Sequence, residues 1–306
     1  MLFIISLISF IAINLAPNSF FASGELNPNI TPEAIEELKA IYGLDKPLYI
    51  QFFSWIYSIL QLDFGISFTS GEKVKEEILS RIPITLTINI VSMILIFIIS
   101  LYFGIKSAMK KNSIFDRFTN QLSLLSFSMP SFYLALVLVL VFSIKFELFP
   151  IAGLHSVPND GSLNYYLDFA WHLTLPIFII VFGGIGSLIL YIRALTNEII
   201  KSDYIFFARA RGLDNKKILR YYILPNLYPP VITLLGLSLP GVIGGSVILE
   251  TIFSIDGMGL LFYQSALSHD YPVIMGILII GAFLTLIGNM FADLILLKLN
   301  PNYNEK

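Results

Sequence analysis

The sequence predicts an all-α protein that crosses a lipid bilayer repeatedly, with six transmembrane helices of which the first is short or truncated. Three observations carry this. The chain is 56% hydrophobic and only 13% charged, more apolar surface than one water-soluble core can hide. Five apolar runs are long enough to cross about 30 Å of hydrocarbon as helix. The charges are sorted by loop rather than scattered.

The five runs lie near residues 83–104, 119–143, 170–192, 227–250 and 272–297. A sixth, Met1 to Ala16, reaches only about 24 Å at 1.5 Å per residue, so it crosses a thinned region or continues a span that starts upstream. A signal peptide is the competing reading of residues 1–22, but no charged segment precedes the apolar run and the cleavage pattern is weak.

With six spans, both termini share a side. Segments 105–118, 193–226 and 298–306 hold 13 of the 19 Lys and Arg, and the segments between them on the other side hold six. By the positive-inside rule the first set is cytoplasmic, which places the N- and C-termini there too. The net charge of -2 conceals this polarity.

Residues 17–82 are too patterned for a plain loop. Thr31 precedes Pro32 and Glu33 as an N-cap would, with Gly43 as a stop. A second helix is predicted over about 46–61, with Leu48, Phe52, Trp55, Ile56 and Ile59 on one face. Together they suggest a small helical ectodomain, and the chain divides into an N-terminal region, 1–82, and a membrane domain, 83–306.

Within the spans, Gly183, Gly184 and Gly186, and Gly236, Pro240, Gly241, Gly244 and Gly245, form small-residue faces. They serve close helix packing or line a path that changes shape.

Chemistry for an enzyme is thin. His155, His172 and His269 fall in outer loops or at a span edge and read as interfacial polar residues. The sequence has no cysteine, no H-E-x-x-H pattern, no phosphate-binding G-x-x-x-x-G-K-[ST] loop and no G-x-S-x-G elbow, which argues against ATP hydrolysis by this chain. Glu250 and Asp293 are the acidic groups near the spans, both toward span ends, so coupling to a proton gradient has little to work with. The energy source is expected to be another protein.

The candidate entry point is Ser202 to Asn226. Six of the 19 Lys and Arg sit in Lys201 to Arg220, beside the small residues Ala208, Ala210 and Gly212. Tyr204, Ala208 and Arg211 fall on one side of a first short helix. Gly212 permits a sharp turn, and Asp214 caps a second helix running to about Tyr222. Pro225 is expected to break it before the next span. Such an element suits docking by another protein; the competing reading is a basic loop held on anionic headgroups.

Here the residues resemble a known family, the membrane permeases of bacterial ABC importers. Its cytoplasmic signature is E-A-A-x3-G-x9-I-x-L-P, and Ala208, Gly212, Leu224 and Pro225 fall in register with it, while Phe206, Phe207 and Tyr222 depart. The subgroup importing dipeptides, oligopeptides and nickel is more similar still. Asp203-Tyr204, Ala208-Arg209-Ala210-Arg211-Gly212-Leu213, Asn226, Pro230 and Gly236 match it, as do Glu250-Thr251-x-Phe253, Gly257-x-Gly259 and Asp270-Tyr271-Pro272. Upstream, Leu15-Ala16-Pro17, Tyr42-Gly43-Leu44-Asp45, Asp63-Phe64-Gly65 and Arg81-Ile82-Pro83-x-Thr85-Leu86 fit the first of the two permeases in such systems.

The resemblance implies a non-catalytic inner-membrane subunit. It would pair with a second, homologous permease and dock two ATP-binding subunits, which hold ATP and magnesium; this chain itself would carry no cofactor or metal. An extracytoplasmic solute-binding protein would deliver peptide or, alternatively, nickel. Residues 203–225 would be coupling helices, and Gly241, Gly245, Glu250, Phe253, Gly257, Gly259 and Asp270 candidates for the pathway and its outer gate. No nucleic acid is implied. A secondary transporter acting alone would instead need paired mid-span charges.

Overall fold

A computed structural model describes residues 46–243 and 246–299, together with 4, 6–8, 10 and 11 near the start. The Thr31 cap, the Gly43 stop, most of the first apolar run and Gly245 lie outside these residues. Among the described residues four helices are long and apolar enough to cross a membrane, and a bent pair makes a fifth if counted as one span. The chain packs as two compact units, one of residues 1–85, 244–251 and 256–284, the other of 86–243, 252–255 and 285–306.

In the first unit, α1 (Leu48–Leu60) matches the predicted 46–61 helix. Phe52 is buried and packs edge-on against Phe10 at 5.3 Å, with Trp55, Ile56 and Met275 around them, whereas Leu48 is exposed instead of joining that face. The long α2 (Val74–Met109) begins here with Glu76 and Glu77 in its first turn, where the helix dipole favours acids. Val74 and Ile78 of α2 meet Met258 and Leu261 of α10 (Met258–Leu267) and Val273 and Ile277 of α11 (Tyr271–Leu299) in a core capped by Phe64 and Phe262.

The second unit holds the remainder of α2, then α3 (Ile114–Ser128), α4 (Ser131–Leu138, continued by a π turn to Lys145), α5 (Leu163–Ile200), α6 (Asp203–Ala210), α7 (Asn215–Ile218) and α8 (Leu224–Ile243). A short α9 (Val247–Ile252) follows α8 and falls largely in the first unit. The run expected as one span over 119–143 is bent by 98° between α3 and α4. The cause is local: Met129, preceding Pro130, takes an extended conformation (φ -91, ψ 119), the one favoured before proline.

The apolar helices also overrun their predicted ends. At 36 and 38 residues, α2 and α5 extend about 54 and 57 Å, well beyond the hydrocarbon. Pro83 and Pro176 lie inside them without ending either helix.

The α3–α5 contact is made of small polar groups. The buried residues of α3 are Asp116, Thr119, Ser123 and Ser126, a stripe at helical spacing. A Cβ on Gly186 of α5 would lie 2.5 Å from the Ser123 carbonyl, so this glycine lets the two backbones touch, and the Ser126 hydroxyl donates to the Phe182 carbonyl. Within lipid, where apolar burial drives helix pairing weakly, small residues and hydroxyls hold helices together. Gly184 packs against Ile96 in the same way, while no atom stands within 4 Å of a Cβ at Gly183.

Candidate functional site

The Ser202–Asn226 segment folds into a compact two-helix element. Ser202 precedes α6 and its hydroxyl donates to the Ile199 carbonyl at 2.6 Å. At the other end Gly212 takes φ +79, the left-handed region open to glycine. The Gly212 N–H donates to the Arg209 carbonyl (2.9 Å) and the Leu213 N–H to the Ala208 carbonyl (3.2 Å), the paired bonds of a Schellman turn. The Asp214 side chain then accepts from the Lys217 N–H at 3.0 Å, capping α7 as the sequence predicts.

One expectation is corrected. Pro225 does not end the second helix; the chain runs from α7 through a π turn, Leu219–Ile223, into α8. The Leu224 N–H reaches back to the Leu219 carbonyl, and the Asn226 side chain donates to the Tyr222 carbonyl at 2.7 Å. The widened turn accommodates a residue that lacks an N–H.

The element has its own core: Ile205, Ala208, Ile218 and Ile223 are buried, with Leu213, Leu219 and Tyr222 against them. Ala208 is therefore small for the sake of α6–α7 packing within the chain. Asp203, Tyr204, Arg209, Ala210, Arg211 and Gly212 stay exposed, as do Phe206 and Phe207 at 68% and 60%. Tyr204 stacks on Tyr222 (6.5 Å between centroids), and Leu224, Pro225 and Asn226 open α8. The result is an internally rigid element that presents cations and aromatic rings outward.

The second unit also contains a groove of about 580 Å³ between α2, α5 and α8. Its walls carry Asn89, Ser92, Ser187, Tyr191, Ser238 and Gly241 among apolar neighbours, and no ionisable acid or base other than the tyrosine phenol. Among the described residues the fully buried Ser92 hydroxyl has no hydrogen-bond partner, and no neighbour lies within 4 Å of a Cβ at Gly241.

In the first unit Glu250, Gly257 and Gly259 come together. Glu250 is 3% exposed. Its carboxylate accepts from the Gly259 N–H at 2.6 Å, the Leu260 N–H at 3.0 Å and the Thr85 hydroxyl at 3.2 Å; that hydroxyl in turn accepts from the Met258 N–H at 2.9 Å. Three otherwise unpaired donors at the start of α10 are thereby satisfied. A Cβ on Gly257 or Gly259 would sit 2.5 or 2.9 Å from the Glu250 carboxylate oxygen, so both glycines clear its approach. Asp270 precedes α11, accepting from the Ser67 hydroxyl (2.6 Å) and the Thr69 N–H (3.0 Å). Phe253 is buried in the second unit, where its carbonyl receives the Gly153 N–H.

Two polar clusters escaped sequence reasoning. Arg193 of α5 donates through Nε (2.7 Å) and Nη2 (3.1 Å) to the two oxygens of Asp116, so charges beyond Glu250 and Asp293 do lie inside the long helices. An acid five positions past a basic run, at the start of an apolar stretch, was the available signal. His172 Nδ1 lies 2.8 Å from the Asp168 carbonyl and its Nε2 3.2 Å from the Ser156 hydroxyl, while His155 stacks on Tyr165. Among the described residues no group of three or more His, Cys, Asp or Glu is arranged to hold a metal ion.

Comparison with known proteins places this geometry in a family. Residues 100–305 match the family described as binding-protein-dependent transport system inner membrane component, and residues 1–89 match its N-terminal companion. The oligopeptide transport system permease protein AppB of Bacillus subtilis is 35% identical over 97% of this chain and 93% of its own length. The metal-staphylopine import system permease protein CntB of Staphylococcus aureus is 31% identical over 91% of this chain and 85% of its own. Among solved structures, the inward-facing MetNI methionine ABC transporter shares the fold, with a TM-score of 0.57 at 17% identity over 73% of this chain and 96% of that one. A multi-pass helical chain with this motif set and these matches over nearly its whole length belongs to the binding-protein-dependent transport system inner membrane components.

Proposed function

We propose that this permease forms one half of the membrane path of a peptide importer, driven by ATP hydrolysis on partner subunits. The observation that carries the proposal is the α6–α7 element, a body with a core of its own beside the end of α5, from which Phe206, Phe207, Arg209 and Arg211 project exposed among the described residues. It suits a cleft on an ATPase subunit, which would hold ATP and magnesium. The excess of Lys and Arg in segments 105–118 and 193–226 supports a cytoplasmic side for this face and for both termini. A second permease of similar fold would complete the path, and a solute-binding protein on the other side would load it.

In this reading ATP binding draws the two docked elements together. The permease switches access because the ATPase contacts differ between its open and closed states, and the switch can be no larger than that difference. The groove between α2, α5 and α8 is the wall of the solute path. Its hydroxyls, amide and apolar side chains suit a peptide, whose charges are few and whose backbone needs hydrogen-bond partners; a hydrated metal cation would find no carboxylate or imidazole there. Glu250, Gly257, Gly259 and Asp270 are read as framework of the first unit, since the Glu250 and Asp270 carboxylates are taken up by hydrogen bonds within it. The similarity to an oligopeptide permease supports peptide, and the similarity to a metal-staphylopine permease keeps a metal complex as the second reading.

The test is uptake in vesicles containing the complete transporter, using a radiolabelled tripeptide and radioactive nickel separately. Tripeptide uptake that requires both ATP and the binding protein is the expected result. Uptake of nickel alone would overturn the peptide assignment, and uptake that persists without the ATPase subunits would overturn the energy source.

A further inference from the structure

Asp116 carries a dense set of hydrogen bonds within the second unit. It is 3% exposed, and its two oxygens accept from Arg193 Nε and Nη2, the Ser107 hydroxyl, the Asn112 N–H (2.9 Å) and the Asn120 amide (3.2 Å). Arg193 Nε also lies 3.1 Å from the Ser107 hydroxyl. Three helices meet at this point: α2 through Ser107, α3 through Asp116 and α5 through Arg193.

The remaining α3–α5 seam offers little directional hold. Among the described residues the Thr119 and Thr196 hydroxyls, a turn beyond Asp116 and Arg193, are fully buried with no hydrogen-bond partner, and of that stripe Ser126 alone reaches the α5 backbone. A hydroxyl seam can shear; a forked ion pair in a buried site has one good geometry.

From Arg193 the chain continues as unbroken helix to Ile200, two residues before α6. Leu195 and Ile199 pack with Phe97, Ile192 and Leu227, and Ile199 and Ile200 pack with the α6–α7 core. Ile199 belongs to both clusters. The element with the exposed face is thus joined by continuous packing to the helix that Arg193 ties down.

We propose that Arg193 and Asp116 are positioning residues for coupling. Their ion pair makes the end of α5 and the α2–α3 corner one body, so a displacement of α6–α7 moves that body as a whole instead of bending α5 or sliding it along α3. The proposal rests on the assignment of α6–α7 as the docked element.

The chain has no cysteine, so introduced pairs can be spin-labelled selectively. Labels at Lys111→Cys and Lys201→Cys, both exposed, report across the clamp. They are placed in the complete transporter, with partner-subunit cysteines replaced. In the otherwise wild-type chain, one narrow distance is expected, the same with and without ATP and vanadate. The double variant R193M/D116L removes both charges and strands neither; it should broaden that distance and raise ATP hydrolysed per tripeptide imported by about tenfold, with normal amounts of bound ATPase. R193K keeps the charge without the fork and should fall between.

A double variant with the wild-type distance and stoichiometry would overturn the proposal, as would a wild-type distance that changes on adding nucleotide. If the double variant fails to assemble, R193K decides: a wild-type ATP cost overturns the proposal and a raised one supports it. A label at Arg209→Cys that ignores ATP and vanadate in the wild type would instead overturn the docking assignment, and this inference with it.

Discussion

Replacing Gly212 with valine isolates the backbone of the turn between α6 and α7. No atom lies within 4 Å of a Cβ built there, so the side chain meets no obstacle and the whole cost comes from φ +79. A residue other than glycine in the left-handed region costs about 1–2 kcal/mol, and a β-branched one sits at the unfavourable end. Relaxing to negative φ instead forfeits the Gly212-to-Arg209 and Leu213-to-Ala208 bonds, each contributing about 0.5–1.5 kcal/mol net. Either route costs about 2 kcal/mol, which bounds the loss of apparent ATPase affinity at about 30-fold. Asparagine tolerates this conformation and should stay within about threefold of wild type. The assay is titration of purified ATPase subunits onto the permease pair in nanodiscs, followed by tripeptide-stimulated ATP hydrolysis. If valine and asparagine bind equally weakly, the backbone argument is refuted; if valine binds and couples like the wild type, the docking role fails.

Substitutions at three further positions test the framework and the proposed path. Glu250→Ala leaves the buried Gly259 and Leu260 N–H groups without their acceptor, a loss of about 3–5 kcal/mol on unfolding in mixed micelles, while Glu250→Gln, which keeps one oxygen, should lose less than half of that. An alanine variant within about 0.5 kcal/mol of wild type would show that the cap contributes nothing to stability. Gly186→Ala and Gly241→Leu should part company. The first drives a Cβ to 2.5 Å from the Ser123 carbonyl and should lower stability by about 1–3 kcal/mol. The second enters open space in the groove and should leave the melting temperature unchanged while abolishing tripeptide uptake. Normal uptake in Gly241→Leu would remove that groove from the path.

Much of the fold was legible because its determinants are local. Apolar run length located α11, and the spacing of apolar residues on one face located α1, each to within two residues. The Gly212 turn and the Asp214 cap were readable from residue type because each is decided within a few residues by φ preference and side-chain reach. The bend at Met129–Pro130 was overlooked within an apolar stretch, since hydropathy does not register backbone dihedrals, although the proline was in view. Pro225 was misread for the opposite reason: a local rule says break, and the π turn before it absorbs the missing N–H.

The sequence by itself determined that this is a multi-pass helical membrane protein with a basic, glycine-hinged element between two spans. Apolar length, charge sorting and capping depend only on neighbouring residues. Tertiary structure alone decided which polar groups meet: Glu250 with Thr85, 165 positions away, and Arg193 with Asp116, 77 away. It also decided that Ala208 faces inward and Arg209 outward. A buried polar group must find its partner wherever the fold brings one, and no spacing along the chain encodes that distance.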